Sequence, residues 1–343
     1  MGKTVVRDAD DTDCERWNGF LASTEGTFYQ AYEWRELNRE ELRHETWFLM
    51  AERDGDIEGV LPLVRVRSRL FGDIVCSMPF VNYGGVCARS ESARSALVAE
   101  ARRRAEEATC DYLEIRAREE LPGMASRSDK VTMRLPLDTD PDVVWRSFKS
   151  KHRNNVNRVQ REGVEVESGG ELLVPAFYRL LSASWSDMGT PLYRESYFRA
   201  LMNLFGDRAR IFLAYQGGRP IAGALNGYFN GVVEGMWAAM LPEARKLQPN
   251  YVLYWEMIRH GCIEGLPWYN LGRSTRDSPA AAWKARWGAE AIPLYWNYHL
   301  VGRSSVPELN PRNPKYRAAI AAWRRLPLAF TRAMGPPLAR LIP

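Results

Sequence analysis

At 343 residues, with 45% hydrophobic and 26% charged content, the chain can bury a large core, and its length suggests two domains of about 150 residues. This balance excludes a disordered or low-complexity protein. The charged opening MGKTVVRDADDTD has no apolar signal region, and no apolar run reaches the ~18 residues of a spanning helix. A soluble cytoplasmic protein, attached at most peripherally to the inner membrane face, is therefore expected.

Five cysteines (Cys14, Cys76, Cys87, Cys110, Cys262) and four histidines (His44, His152, His260, His299) fall into no CxxC or Cys/His ligand spacing. They offer little material for a metal site or a Ser/His/Asp triad, so no metal is expected. The net charge of +5 is unevenly distributed. Residues 309–343 carry seven basic residues and no acid, and the rest of the chain carries 40 basic against 42 acidic.

Residues 27–43 (TFYQAYEWRELNREELR) set Tyr29, Tyr32, Leu37 and Leu42 among charges at near-helical spacing, predicting an amphipathic helix. Strands are predicted at Glu45–Arg53 and Ile57–Arg67, joined by Asp54-Gly55-Asp56, because a DG step between apolar runs favours a hairpin. In the apolar stretch Ser68–Val86, Asn82-Tyr83-Gly84-Gly85 reads either as a plain turn or as a loop whose backbone approaches a ligand. The second reading makes Asn82 and Tyr83 candidate substrate-binding residues. Ser90–Ala108 has the pattern of a Ser-capped helix, and Tyr112–Arg116 that of a following strand.

That order recurs in the second half. A helix at Tyr193–Phe205 precedes a hairpin within Arg210–Phe229, where Phe212-Leu213 echoes Phe48-Leu49. A strand at Gly231–Met240, a helix at Pro249–Glu264 and a strand at Trp268–Leu271 complete the copy. The expectation is an α/β fold with mixed sheets, built from two copies of one unit. With a linker at Glu119–Ser128, the domains are 1–128 and 129–308, followed by a basic helical tail at 309–343.

After the linker, Val131–Asp138 reads as a strand and Pro141–Gly163 as one helix, with proline in its first turn and glycine at its end. This helix carries Lys149, Lys151, His152, Arg153, Arg158 and Arg161. It is either a solvated basic face or a surface for a phosphate-bearing partner such as RNA, a nucleotide sugar or a lipid pyrophosphate, with Arg153 as a candidate contact.

The stretch Arg245–Gly288 is the expected active-site half. Its helix begins near Pro249, whose start is either a simple structural choice or a weak anion site with Asn250 at hand. Tyr251, Tyr254, Trp255, Ile258 and Cys262 recur at helical spacing, first as packing and second as a ligand surface, with Tyr254 as the candidate contact. Asn270 closes the next strand, Gly272-Arg273-Ser274 reads as a turn with Arg273 as an anion ligand, and a short helix carries Trp283 and Lys284. Spacing does not rank Glu195, Glu234 and Glu256 as general bases. In the tail, Ile320, Trp323, Leu326 and Phe330 share a face bordered by Arg317, Arg324, Arg325 and Arg332, which suits an anionic membrane surface, RNA or packing onto the body.

The stretches RVRSRLFGDIV…MPFVNYGGV, FKSKHRNN, DMGTPLY, PNYVLYWEMIRHGCIEG, NLGRS, WKARWG and NPKYR…WRRLP span nearly the whole chain. In them the sequence resembles the Fem-type branch of the GCN5-related (GNAT) acyltransferase superfamily, specifically FemAB-like proteins of exosortase and exopolysaccharide gene sets. The resemblance implies tandem GNAT-like domains and amide-forming acyl or aminoacyl transfer. In the better understood branch the donor is charged transfer RNA and the acceptor an amine of a cell-wall precursor.

Carried to this sequence, Lys284 matches the Phe-Lys-x-x-Phe-Gly element with tryptophan at both aromatic places, and it and Arg273 would stabilise charge. Asn270 stands where many relatives have an acid. At Arg245–Asn250 the glycine-rich loop that holds the CoA pyrophosphate in acetyl-CoA users is missing, which disfavours acetyl-CoA; no other cofactor is expected. The expected partners are a phosphate-bearing acceptor such as a nucleotide sugar or lipid-linked precursor, aminoacyl-tRNA, and an anionic membrane surface reached through the tail. The alternatives are a CoA-dependent N-acetyltransferase of nonstandard motif and a non-catalytic membrane-surface or RNA-binding scaffold.

Overall fold

The structure is a computed structural model that describes residues 3–69, 71–306 and 314–342. In chain order its elements are β1 (Val5–Asp8), α1 (Cys14–Ala22), α2 (Glu33–Glu36), β2 (Glu45–Arg53), β3 (Asp56–Ser68), β4 (Gly72–Cys76), β5 (Cys87–Ala88), α3 (Glu91–Glu107), β6 (Tyr112–Ala117) and β7 (Ala125–Pro136). These are followed by α4 (Pro141–Ser147), α5 (Ser150–Arg161), β8 (Val164–Gly169), α6 (Val174–Met188), α7 (Glu195–Phe205), β9 (Ala209–Gln216), β10 (Arg219–Phe229), β11 (Val232–Met240), α8 (Asn250–Ile263), β12 (Trp268–Thr275), α9 (Pro279–Ala285), β13 (Glu290–Leu300), α10 (Pro314–Trp323) and α11 (Leu328–Ala339). They fall into two compact units. One holds residues 3–132, 292–306 and 341–342, and the other residues 133–291 and 314–340. Residues 292–306 thus group with the first unit, which a division of the sequence at 129 and 309 does not anticipate.

In the first unit the strand order is β1-β2-β3-β4-β6-β13. The β2/β3 hairpin turns at Asp54-Gly55, both at positive φ, which matches the DG signal. β3 is buried on both faces. Leu61 and Leu63 pack with Leu97 and Ala101 of α3, and Val64 and Val66 pack with Ile74, Tyr112 and Tyr298. Ser90 caps α3 by accepting from the Ala93 amide.

The second unit repeats the plan, with strand order β12-β11-β10-β9-β8. Helices cover both of its faces. Phe212 meets His260 of α8 edge-on at 5.4 Å, and its neighbour Leu213 lies against Gly223 on the side of Leu180 from α6. The repeat extends to register. β4 and β6 pair in parallel through Ile74↔Tyr112, Val75↔Leu113 and Cys76↔Glu114, and β11 and β12 through Val232↔Trp268, Val233↔Tyr269 and Glu234↔Asn270.

Several local expectations are corrected. Residues 27–43 form short helical pieces, including a π-type segment at Leu37–Glu41, in place of one amphipathic helix. Strand β7 begins inside the expected linker, at Ala125. The helix expected over Pro141–Gly163 is broken. Phe148 and Lys149 adopt extended ψ near 143°, which drives Phe148 into an aromatic cluster with Trp145, Trp255 and Trp287. The turn expected at Gly272-Arg273-Ser274 is instead strand, since β12 runs on to Thr275 and Gly272 absorbs the irregularity at φ +81°.

The glycines of the Asn82–Gly85 loop serve the chain's own packing. A Cβ on Gly85 would lie 2.9 Å from the Arg116 carbonyl, and one on Gly84 2.7 Å from Met78 Cγ. The tail folds back on the second unit. Arg332 Nε donates to Ser182 Oγ at 3.0 Å, and Thr331 bonds Ser186 at 3.2 Å. Gly189 ends α6 in the left-handed region against Ile320 of α10. Among the described residues, no helix is long and apolar enough to cross a membrane.

Candidate active site

The parallel pairing of β11 and β12 covers three residue pairs and ends at Glu234↔Asn270, although β11 runs on to Met240 and β12 to Thr275. Crevices at the carboxyl ends of parallel strands are where open α/β sheets bind ligands. Asn270 is buried here; its Nδ2 donates to Glu234 Oε2 at 2.8 Å, and its Oδ1 accepts from the Gly272 amide at 3.1 Å. The Asn270 carboxamide thus holds a buried carboxylate on the neighbouring strand.

Beyond that pair, α9 supplies a cation. Lys284 Nζ donates to the carbonyls of Gly272 at 2.9 Å and Arg273 at 3.0 Å. Burial, and then the Arg273 charge, lower its pKa to about 8. Lys284 is therefore a fixed ammonium rather than a snorkelling surface lysine. Two of its three N–H groups anchor it to β12, and the third remains a donor. Ser278 caps α9 through the Ala281 amide, and Pro279 opens it, fixing the helix that aims the lysine.

The residues around Lys284 are aromatic. Trp283 meets Tyr254 edge-on at 4.6 Å, Tyr254 stacks on Trp287 at 6.1 Å, and Trp287 meets His152 at 4.0 Å. Burial alone pushes the Tyr254 hydroxyl up to about 12. These rings lead to a cavity of ≈ 280 Å³ lined by Lys149, Lys151, His152, Asn155, Tyr251 and Arg286. Tyr251 lies in the first turn of α8, where helix amides favour negative charge. His152 is buried, and among the described residues its Nε2 has no hydrogen-bond partner. Burial and the Arg286 charge lower its pKa to about 4, which leaves it neutral at pH 7. Among the described residues the lining holds three cations, a neutral imidazole and no carboxylate, the donor set of an anion subsite.

Most of the expected site residues gather in this region, though in different roles. Lys284, Arg273 and Asn270 meet through Gly272, and Tyr254 and Trp283 form the aromatic link. Asn250 adjoins Tyr251, and among the described residues its buried Oδ1 accepts no hydrogen bond. Arg153 instead faces the helix break, donating to the carbonyls of Arg146 and Phe148. The cavity takes Lys149 and Lys151 from the same basic helix. Asn82 and Tyr83 belong to the first unit, where Asn82 donates to the Tyr29 hydroxyl and Tyr83 accepts from Arg118. Arg286 has no sequence signal of its own, whereas Tyr251 reads first as packing and second as a ligand surface, and Asn155 sits on the basic helix. Only the position of Arg286 two residues after Lys284 hinted at a shared site.

The corresponding register in the first unit is filled by protein. After Cys76 the chain returns so that the Ser77 amide donates to the Glu114 carbonyl, Ser77 Oγ accepts from the Arg116 amide, and the Gly84 amide donates to the Arg116 carbonyl. Glu114 and Arg116 form a buried ion pair at 2.6 Å, with the guanidinium 4.4 Å from the Trp296 ring.

Residues 146–285, which contain α5, β8–β12, Lys284 and most of the cavity lining, match the acetyltransferase (GNAT) domain family. That stretch lies within the second unit. No curated protein matches the chain. Among solved structures the chain is similar to FemX (TM-score 0.66, 15% identity, 87% of this chain and 98% of FemX). It is also similar to the C-terminal domain of a putative lysylphosphatidylglycerol synthetase from Agrobacterium fabrum (TM-score 0.57, 13% identity, 92% and 95%). A tandem GNAT protein from the clavulanic acid biosynthesis pathway has TM-score 0.56 and 14% identity, with 89% and 100% covered. At these identities the likeness is one of fold, a duplicated GNAT-like architecture.

Proposed function

We propose that the GNAT domain transfers an acyl or aminoacyl group to an amine of a phosphate-bearing cell-envelope acceptor, a nucleotide sugar or a lipid-linked saccharide precursor. The cation-lined cavity at the start of α8, within the same domain as Lys284, carries this reading. In the reaction the acceptor nitrogen bonds the acyl carbon, the carbon–oxygen or carbon–sulfur bond to the donor breaks, and the leaving group takes the proton lost by nitrogen. Charge builds on the acyl oxygen meanwhile. The remaining Lys284 donor meets that charge in a buried setting where it counts for more than in water. Cavity cations hold the phosphate and align the amine.

Because the glycine-rich loop is missing, the proposed donor is an aminoacyl-tRNA or another activated ester rather than acetyl-CoA. A second reading has one observation in its favour. The cavity abuts the first turn of α8, so it also suits the pyrophosphate of an acyl-CoA. Purified protein is to be incubated with aminoacyl-tRNAs or acyl thioesters and amino-sugar nucleotides, with amide formation followed by mass spectrometry. Amide from an aminoacyl donor supports the first reading. Turnover only with acetyl-CoA, together with calorimetric binding of acetyl-CoA, replaces it with the second.

A further inference from the structure

The outer face of α11 differs from that of an ordinary surface helix. Thr331, Gly335 and Ala339 are buried, and Arg332 is tied to α6 through Ser182. The solvent-exposed residues of α11 are Ala329, Phe330, Ala333, Met334 and Pro337, all apolar; Phe330 is 48% and Met334 45% exposed. A helix that is apolar on both faces is normally covered on both. Just before it, Arg317, Arg324 and Arg325 are exposed, and the whole 309–343 stretch contains no acid.

We propose that α11 is a membrane-docking face that lays Phe330, Met334 and Pro337 into the interface of an anionic bilayer, with Arg317, Arg324 and Arg325 on the headgroups. The combination of chemistries selects this occupant. An anionic lipid surface accepts both an apolar stripe and a cationic margin. Nucleic acid would use the arginines and leave Phe330 and Met334 in water. A second copy docked through the same face would bring two sets of arginines together with no acid in either tail to offset them. The inference is independent of the acyl-transfer reading, since it involves neither Lys284 nor the cavity.

The test is flotation of the full chain with phosphatidylglycerol-containing and with pure phosphatidylcholine vesicles, at low and high salt. Binding to the anionic vesicles only, weakened by salt, is expected. Phe330→Asp with Met334→Asp is expected to weaken it about tenfold or more through lost apolar burial. Arg324→Gln with Arg325→Gln should weaken it less and flatten its salt dependence. Both pairs lie on the exposed surface, and circular dichroism confirms that the variants are folded. Equal binding to both vesicle types, no binding to the anionic ones, or undiminished binding of the aspartate variant would overturn the proposal. So would light scattering that shows a dimer dissolved by the aspartate pair, or RNA binding that needs the arginines while vesicle binding is absent.

Discussion

Replacing Lys284 by methionine removes the ammonium while keeping most of the side-chain volume. In the folded chain this group titrates at about 8 against an ordinary 10.5, which is ~3 kcal/mol of penalty on its charged form at neutral pH. Methionine removes that penalty but leaves the Gly272 and Arg273 carbonyls without their donor, at a cost of ~1–3 kcal/mol each. The two effects oppose each other, so the stability of Lys284→Met is expected to stay within ~3 kcal/mol of wild type. Activity is a different matter. Loss of one oxyanion donor costs about 10²–10³-fold in kcat.

The sign of the pH dependence follows from the depressed pKa. The ammonium is present below about 8 and lost above it, so the rate of amide formation should fall as pH rises through that value. Lys284→Arg should retain part of the rate and move this limb upward, because a guanidinium stays charged. The measurements are a pH–rate profile of amide formation and an NMR titration of the lysine side chain. A lysine that titrates near 10.5, or a methionine variant with nearly wild-type kcat, would refute the reasoning.

Three further predictions concern the surroundings of the site. Lys149→Ala, Lys151→Ala and Arg286→Ala are each expected to weaken pyrophosphate binding about three- to tenfold, measured by calorimetry, with a shallower salt dependence in each variant. His152 is held neutral, with a folded pKa of about 4 against 6.5, so its contribution to stability is present above pH 6.5 and is lost as pH falls towards 4. In thermal melts across that window, His152→Phe should flatten the decline in Tm. Gly189→Ala places a Cβ at φ +79° and 2.6 Å from Ile320 Cγ2; it is expected to cost more than ~1 kcal/mol and to speed amide hydrogen exchange in α10 and α11.

The sequence was most informative where local chemistry decides the outcome. Asp54-Gly55 announced its hairpin and Ser90 its helix start, because turn and cap residues act through neighbours a few positions away. The duplication was legible for the same reason, as each copy repeats its own local signals. Pro141–Gly163 misled because its pattern is helical throughout and the break at Phe148 is imposed by Trp255 and Trp287, more than 100 residues distant. The Gly272 turn failed similarly, since β12 continues in the company of Lys284 from another element. Lys284 itself stood out by resemblance. The anion cavity was legible only in part, since the helix with Lys149 read as a candidate phosphate surface but Tyr251 and Arg286 join it only through packing.

The filled register of the first unit bears on how the two copies can change. Arg116 and Glu114 are almost fully buried and neutralise each other. Removing either alone strands the other charge in the core, at ~3–5 kcal/mol, a large share of what a domain of this size has to spare. A mutational walk towards an open crevice at this register would need both changes, and the Ser77 loop rebuilt, before any benefit came. The first copy is therefore held in its present arrangement at this pair by a stability valley.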